Sequence, residues 1–176
     1  MNSGFTHESH KSKTIEWYTP PWVFDKLGIE FDLDPCAPEL PLADWIPAKK
    51  RYTKRDNGLA MEWDGRVWLN PPYGRHTQEW LEKMHLHRNG IALVFARTDT
   101  IWFHKYAKGA DAILFLKGRI AFVDGTNTTA QSGNPAASML LAWGNYCVEA
   151  LTSISDIGLL VVIDNQSLEN SVQINT

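Results

Sequence analysis

Residues 66–96, RVWLNPPYGRHTQEWLEKMHLHRNGIALVFA, decide the fold. RVWLN (66–70) is a short β-type run that stops at Pro71-Pro72, because proline has no N–H to give a strand ladder. HTQEWLEKMHLHRNG (76–90) has helical spacing. Trp80, Leu81, Met84 and Leu86 supply its apolar side, and Asn89-Gly90 is expected to end it. IALVFA (91–96) is a continuous apolar run between turn signals, as in a strand buried on both faces.

The same alternation extends outward. Upstream, TPPWVFDKLG (19–28) predicts a short helix, with Thr19 as N-cap, Pro20 and Pro21 in its first turn and Gly28 as its stop. FDLD (31–34) predicts a strand ending at Asp34-Pro35, and Pro35, Pro38, Pro41 and Pro47 then exclude a long helix. Downstream, TIWFHKYAKG (100–109) predicts a short helix, AILFL (112–116) and RIAFV (119–123) strands, and 124–135 a loop. ASMLLAW (137–143), a helix near 145–153 and IGLLVVI (157–163) complete the core. The expected fold class is therefore α/β, a sheet covered on both faces by short helices. In such folds ligands bind beyond the carboxyl ends of the strands, so residues that follow a strand are the ones to read for chemistry.

The chain has 176 residues, 44% apolar and 21% charged, an ordinary globular balance that excludes disorder throughout. One domain over 14–164 is expected, with loose polar tails at 1–13 and 165–176. No apolar run approaches the roughly 18–20 residues of a membrane span, and the first 13 residues contain no apolar signal region. Cys36 and Cys147 make no CxxC pair, which argues against a disulfide scaffold or zinc module and favours a reducing cytoplasm. The six histidines lack ligand spacing, so no metal is expected. Net charge is −3, so nucleic acid would have to be met by a local patch. KKRYTKR offers one, with Lys49, Lys50, Arg51, Lys54 and Arg55; its plainer reading is a solvated surface loop. Eight Trp, five Tyr and seven Phe also supply flat rings on which a base can stack.

Asn70-Pro71-Pro72-Tyr73 directly follows the strand RVWLN. The prolines stiffen the backbone, Asn70 adds a side-chain carbonyl acceptor, and Tyr73 adds a flat ring. Two acceptors beside an aromatic surface suit the two hydrogens of an exocyclic amine on a planar base. The plainer alternative is a Pro-Pro turn that ends a strand, with Asn70 before it by chance.

Asn70-Pro71-Pro72-Tyr73 matches the [DNS]-P-P-[YFW] motif of S-adenosylmethionine-dependent amino-methyltransferases, and the chain around it resembles the phage-type DNA N6-adenine methyltransferases. The resemblance rests on the ordered blocks EWYTPP (16–21), FDLDPCA (31–37), DNGL (56–59), VWLNPPYG (67–74), and RTDTIWF (97–103) with Gly118-Arg119. It implies a Rossmann-like methyltransferase sheet that acts on DNA with S-adenosylmethionine as cofactor. Asn70, Pro71, Pro72 and Tyr73 would be catalytic. Trp17, Tyr18, Thr19, Pro20, Asp34, Pro35, Cys36, Ala37, Asp56 and Leu59 would hold the cofactor, with Asp34 facing its α-ammonium and Asp56 the adenine end. Arg75, Arg97 and Arg119 would join the KKRYTKR cations on DNA. A bacterial host cytoplasm is implied if the chain is phage-encoded. The same motif also occurs in enzymes that methylate RNA bases or protein glutamine, and a degenerate relative would bind nucleic acid without catalysis. Two departures stand out: no glycine follows Asp34, and residues 38–66 are short for a strand–helix–strand unit and show no clear acid for the ribose hydroxyls.

Overall fold

A computed structural model describes residues 18–123 and 136–163. The first helix, α1 (Pro21–Leu27), starts one residue later than the sequence suggests. Pro20, extended at ψ 149°, is the N-cap, and Thr19 lies before it. Gly28 ends α1 at φ 61°, a left-handed conformation that costs glycine little, and its N–H donates to the Phe24 carbonyl at 2.9 Å. Strands β1 (Phe31–Asp34), β2 (Ala48–Arg51) and β3 (Val67–Leu69) follow, then α2 (Thr77–His87) and β4 (Gly90–Phe95). Helix α3 (Ile101–Lys105) runs into a 3₁₀ turn at Ala107–Gly109. Then come β5 (Ala112–Leu116), β6 (Ser138–Trp143), α4 (Asn145–Ser153) and β7 (Gly158–Val162).

The seven strands form one mixed sheet in the order β2-β1-β3-β4-β6-β5-β7. β2, β1, β3 and β4 run parallel, and β6 is antiparallel to both of its neighbours. Alternating side chains feed two core layers, as the twofold period of a strand requires. Ile91, Leu93, Leu140 and Ala142 face α1 and α4, while Ala92, Val94, Met139, Leu141 and Trp143 face α2 and the 3₁₀ turn. The carboxyl ends of β1, β3 and β4 therefore open on one rim of the molecule.

Four expectations from sequence change. KKR at 49–51 is an edge strand, not a loop; its lysines point to solvent, where charge protects an open edge from pairing with another chain. RIAFV (119–123) is not a strand. Both flanks of β5 are already taken by β6 and β7, so this segment finds no open ladder, and only Val123 makes a bridge, to Tyr18. α2 ends at Arg88, which takes the left-handed conformation at φ 61°. Gly90 instead opens β4, because a Cβ there would lie 2.2 Å from the Val67 carbonyl oxygen across the β3–β4 ladder. Finally, Leu86 is exposed and takes no part in the apolar side of α2. The expected loop at 124–135 and both expected tails fall outside the described residues.

Candidate active site

β3 delivers Asn70-Pro71-Pro72-Tyr73 to the carboxyl rim, where Pro71 is buried and Pro72 and Tyr73 are exposed. Thr77, the first residue of α2 and itself buried, staples this turn to the helix. Its Oγ1 donates to the Pro72 carbonyl at 3.0 Å and accepts from the Gly74 N–H at 3.0 Å. The Pro72 carbonyl thus already accepts one hydrogen bond from this staple. The Tyr73 ring stacks on Phe95, at the end of β4, with centroids 3.9 Å apart and planes 16° off parallel. Phe122 meets both rings edge-on at 6.4 Å. Tyr73 stays 38% exposed, and its hydroxyl donates to Asn70 Oδ1 at 3.4 Å. Thr77, Phe95 and Phe122 are additions to the residues expected from sequence. Threonine at the first helical position after a proline turn was the legible signal for Thr77; the two phenylalanines read only as core.

β1 ends beside β3, with Leu33 in register with Val67. The N–H groups of Asp32 and Leu33 both donate to the Arg66 carbonyl, at 2.7 and 3.2 Å, so β1 carries a bulge there. The bulge explains why Phe31 and Leu33 face opposite core layers although they are two apart. Asp34, just beyond it, is 3% exposed and accepts from the Cys36 N–H at 2.9 Å. Loss of water pushes its pKa up to about 7, against the pull of that N–H and of the Arg51 charge. Burial, with Asp34 close by, raises the Cys36 thiol well above its usual range. Pro35 and Ala37 are buried, and the Ala37 N–H donates to the Tyr52 carbonyl at 2.9 Å.

A glycine elsewhere in the chain packs against the turn that follows Asp34. Gly58 packs so tightly that a Cβ would lie 2.1 Å from the Pro35 carbonyl oxygen. DNGL therefore sits against the end of β1, and Leu59 packs half-buried on the α2-side core. The Asp56 carboxylate turns back into its own loop, accepting from the Thr53 N–H and hydroxyl at 2.7 and 2.9 Å, which lowers its pKa. β2 is followed by Tyr52 and Thr53, without an acid, and turns replace a helix on both sides of it.

Trp17 lies outside the described residues. Tyr18 is buried and bridged to Val123 by a pair of backbone hydrogen bonds of 2.9 and 3.1 Å, and it shares a core layer with Phe122 and Phe95. Thr19 is fully buried; its carbonyl accepts from the Trp45 indole at 3.0 Å, and its hydroxyl has no hydrogen-bond partner. Pro20 is buried as well.

Several of the expected DNA-binding cations are engaged within the chain. Lys49 pairs with Asp32 at 2.8 Å and Arg55 with Glu39 at 3.1 Å, and Lys50 lies over the Tyr52 ring. Arg51 is turned inward, donating to the carbonyls of Ala43, Asp44 and Ile46. Lys54, Arg75, Arg97 and Arg119 are exposed; Arg75 lies two residues past Tyr73, and Arg97 two residues past the end of β4. Surface hollows of about 460 and 550 Å³, beside α3 and beside β2, touch neither Asn70–Tyr73 nor Asp34.

The rim fits an amino-acid-bearing methyl donor. A buried carboxylate with one backbone donor is suited to an α-ammonium, and Gly58 packs closely one residue past it. No helix among the described residues is long and apolar enough to cross a membrane. No curated protein and no solved structure matched the chain. The model of one protein family matches residues 6–169, nearly the whole chain, and by that match the protein belongs to the DNA N-6-adenine-methyltransferase (Dam) family.

Proposed function

We propose that this chain transfers the methyl group of S-adenosylmethionine to the N6 amine of adenine in DNA. The observation that carries the reading is the placement of Asn70-Pro71-Pro72-Tyr73 at the end of β3, beside the end of β1 with its buried Asp34. The adenine amine is a poor nucleophile because its lone pair is spread into the ring. Asn70 Oδ1 and the Pro71 carbonyl accept its two hydrogens and draw the nitrogen toward tetrahedral geometry. Tyr73, backed by Phe95, holds the base plane. The cofactor supplies a methyl group on a sulfonium cation, and Asp34 faces its ammonium. Asn70 needs no perturbed base beside it, since the amine proton can leave to water after transfer; positioning and fixed dipoles supply most of the effect. The base leaves its stack at a cost of a few kcal/mol, and Arg75 and Arg97 hold the flanking phosphates.

The test is radiolabelled S-adenosylmethionine incubated in parallel with DNA, RNA and protein, followed by mapping of N6-methyladenine. Label in DNA as N6-methyladenine is expected, and Asn70→Ala should lower the rate at least 100-fold with cofactor affinity nearly unchanged. Label confined to RNA or protein, or a near wild-type rate in Asn70→Ala, overturns the proposal.

A further inference from the structure

We propose that Lys83 is a positioning residue for the methyl donor, holding the 56–61 loop from α2 against the carboxyl end of β1. The inference rests on the cofactor reading above. Lys83 lies on α2, outside every motif of the rim. Its ammonium donates to the Leu59 carbonyl at 2.7 Å and also to the Met61 carbonyl. It stands 5.0 Å from the Trp63 ring centroid. A lysine committed to two backbone carbonyls of a distant loop ties that loop down, where a surface lysine would stay in water.

Its neighbours on the same helical face do the same work. Trp80, Lys83 and His87 are spaced three and four apart, so they form one stripe. Trp80 stacks on Trp63, with centroids 6.2 Å apart, and its ring edge lies 3.2 Å from where a Gly58 Cβ would stand. The Trp63 indole donates to the Gly58 carbonyl at 2.8 Å. His87 Nε2 is hydrogen-bonded to the Gly65 carbonyl at 2.8 Å. The stripe thus grips 58–65, a connection with no helix of its own. Gly58 in turn presses on the Pro35 carbonyl, one residue past Asp34. A loop ordered before binding spares the ligand the entropy of ordering it, which appears as affinity for the ligand at that loop. The first turn of α2 holds the catalytic turn through Thr77, so one helix sets both halves of the rim.

The experiment compares wild type, Lys83→Met, Lys83→Arg and Trp63→Phe in cofactor binding and steady-state kinetics. Lys83→Met keeps the stem and removes the donors. Its KM for S-adenosylmethionine, and its Kd for the demethylated product, should rise 10- to 100-fold, with kcat and DNA affinity within threefold of wild type. Lys83→Arg should restore affinity to within threefold, because a guanidinium also reaches two carbonyls. Trp63→Phe, which keeps a ring and loses the donor to Gly58, should raise KM three- to tenfold. Unchanged KM in Lys83→Met overturns the proposal. So does a joint loss of kcat, affinity and thermal midpoint that Lys83→Arg does not rescue, since that pattern marks a general packing role. A wild-type chain that binds no cofactor removes the methyltransferase reading itself, a result distinct from normal cofactor binding by both wild type and Lys83→Met.

Discussion

Asp34 is the residue whose environment and proposed role pull in opposite directions. Its folded pKa of about 7 lies above the ordinary carboxylate value, so below about pH 4 it costs the fold nothing. As pH rises toward 7 the unfolded chain releases this proton first, and stability falls until Asp34 is ionised in both states. Without ligand, the protein should therefore be more stable near pH 5 than near pH 8 by the share Asp34 contributes. Asp34→Asn keeps an acceptor for the Cys36 N–H and removes the charge. It should raise stability at pH 8 by about 1–3 kcal/mol and flatten the slope between pH 4 and 7, as read by denaturant melts across that range. The same substitution should abolish measurable cofactor binding. A buried acid that weakens the empty fold and strengthens only the liganded one is a binding group; equal affinity in Asp34→Asn would make it a structural oddity.

At the scale of elements, the Thr77 staple joins strand end to helix start. Thr77→Val keeps the shape and loses both hydrogen bonds, leaving the Gly74 N–H and Pro72 carbonyl of the turn to find other partners. The expected cost in stability is about 1–2 kcal/mol. Because the turn carries Asn70 and Tyr73, kcat should fall roughly tenfold with cofactor KM little changed, since small misplacements of reacting groups are costly. Steady-state kinetics beside a thermal melt separates the two effects. The packing of the 56–61 loop on β1 gives the opposite signature. Gly58→Ala places a methyl against the Pro35 backbone oxygen, which cannot yield as a flexible side chain would. It should destabilise by about 1–3 kcal/mol and raise cofactor KM more than it lowers kcat.

For the whole molecule, the net charge of −3 leaves attraction for a polyanion to local cations. Arg75 and Arg97 stand exposed on the carboxyl rim, whereas Lys49, Arg51 and Arg55 are engaged within the chain. Arg75→Ala and Arg97→Ala should each weaken DNA binding and lower the slope of log affinity against log salt by about one unit. Lys49→Ala should change that slope little. Fluorescence anisotropy with a DNA duplex at several salt concentrations reads both. A flat response at Arg75 and Arg97 with a drop at Lys49 would move the DNA path to the β2 edge.

The α/β class, every strand but β2, the short helices and the Asn70–Tyr73 tetrapeptide at a strand end were legible in the chain. Each rests on local chemistry: apolar runs of strand length, proline and glycine punctuation, and a motif contiguous in sequence. The edge strand β2 was not legible, because Lys49, Lys50 and Arg51 carry no apolar signal and an edge needs none. RIAFV looked like a strand and is not one, because strand formation needs a free neighbour and β5 has none to offer. Tertiary structure alone decided that Gly58 packs against the Pro35 backbone, that Phe95 lies under Tyr73, and that Arg51 points inward. These are contacts between residues far apart along the chain. No local pattern records such distances, because they are set only when the sheet order and the packing of α2 bring the segments together.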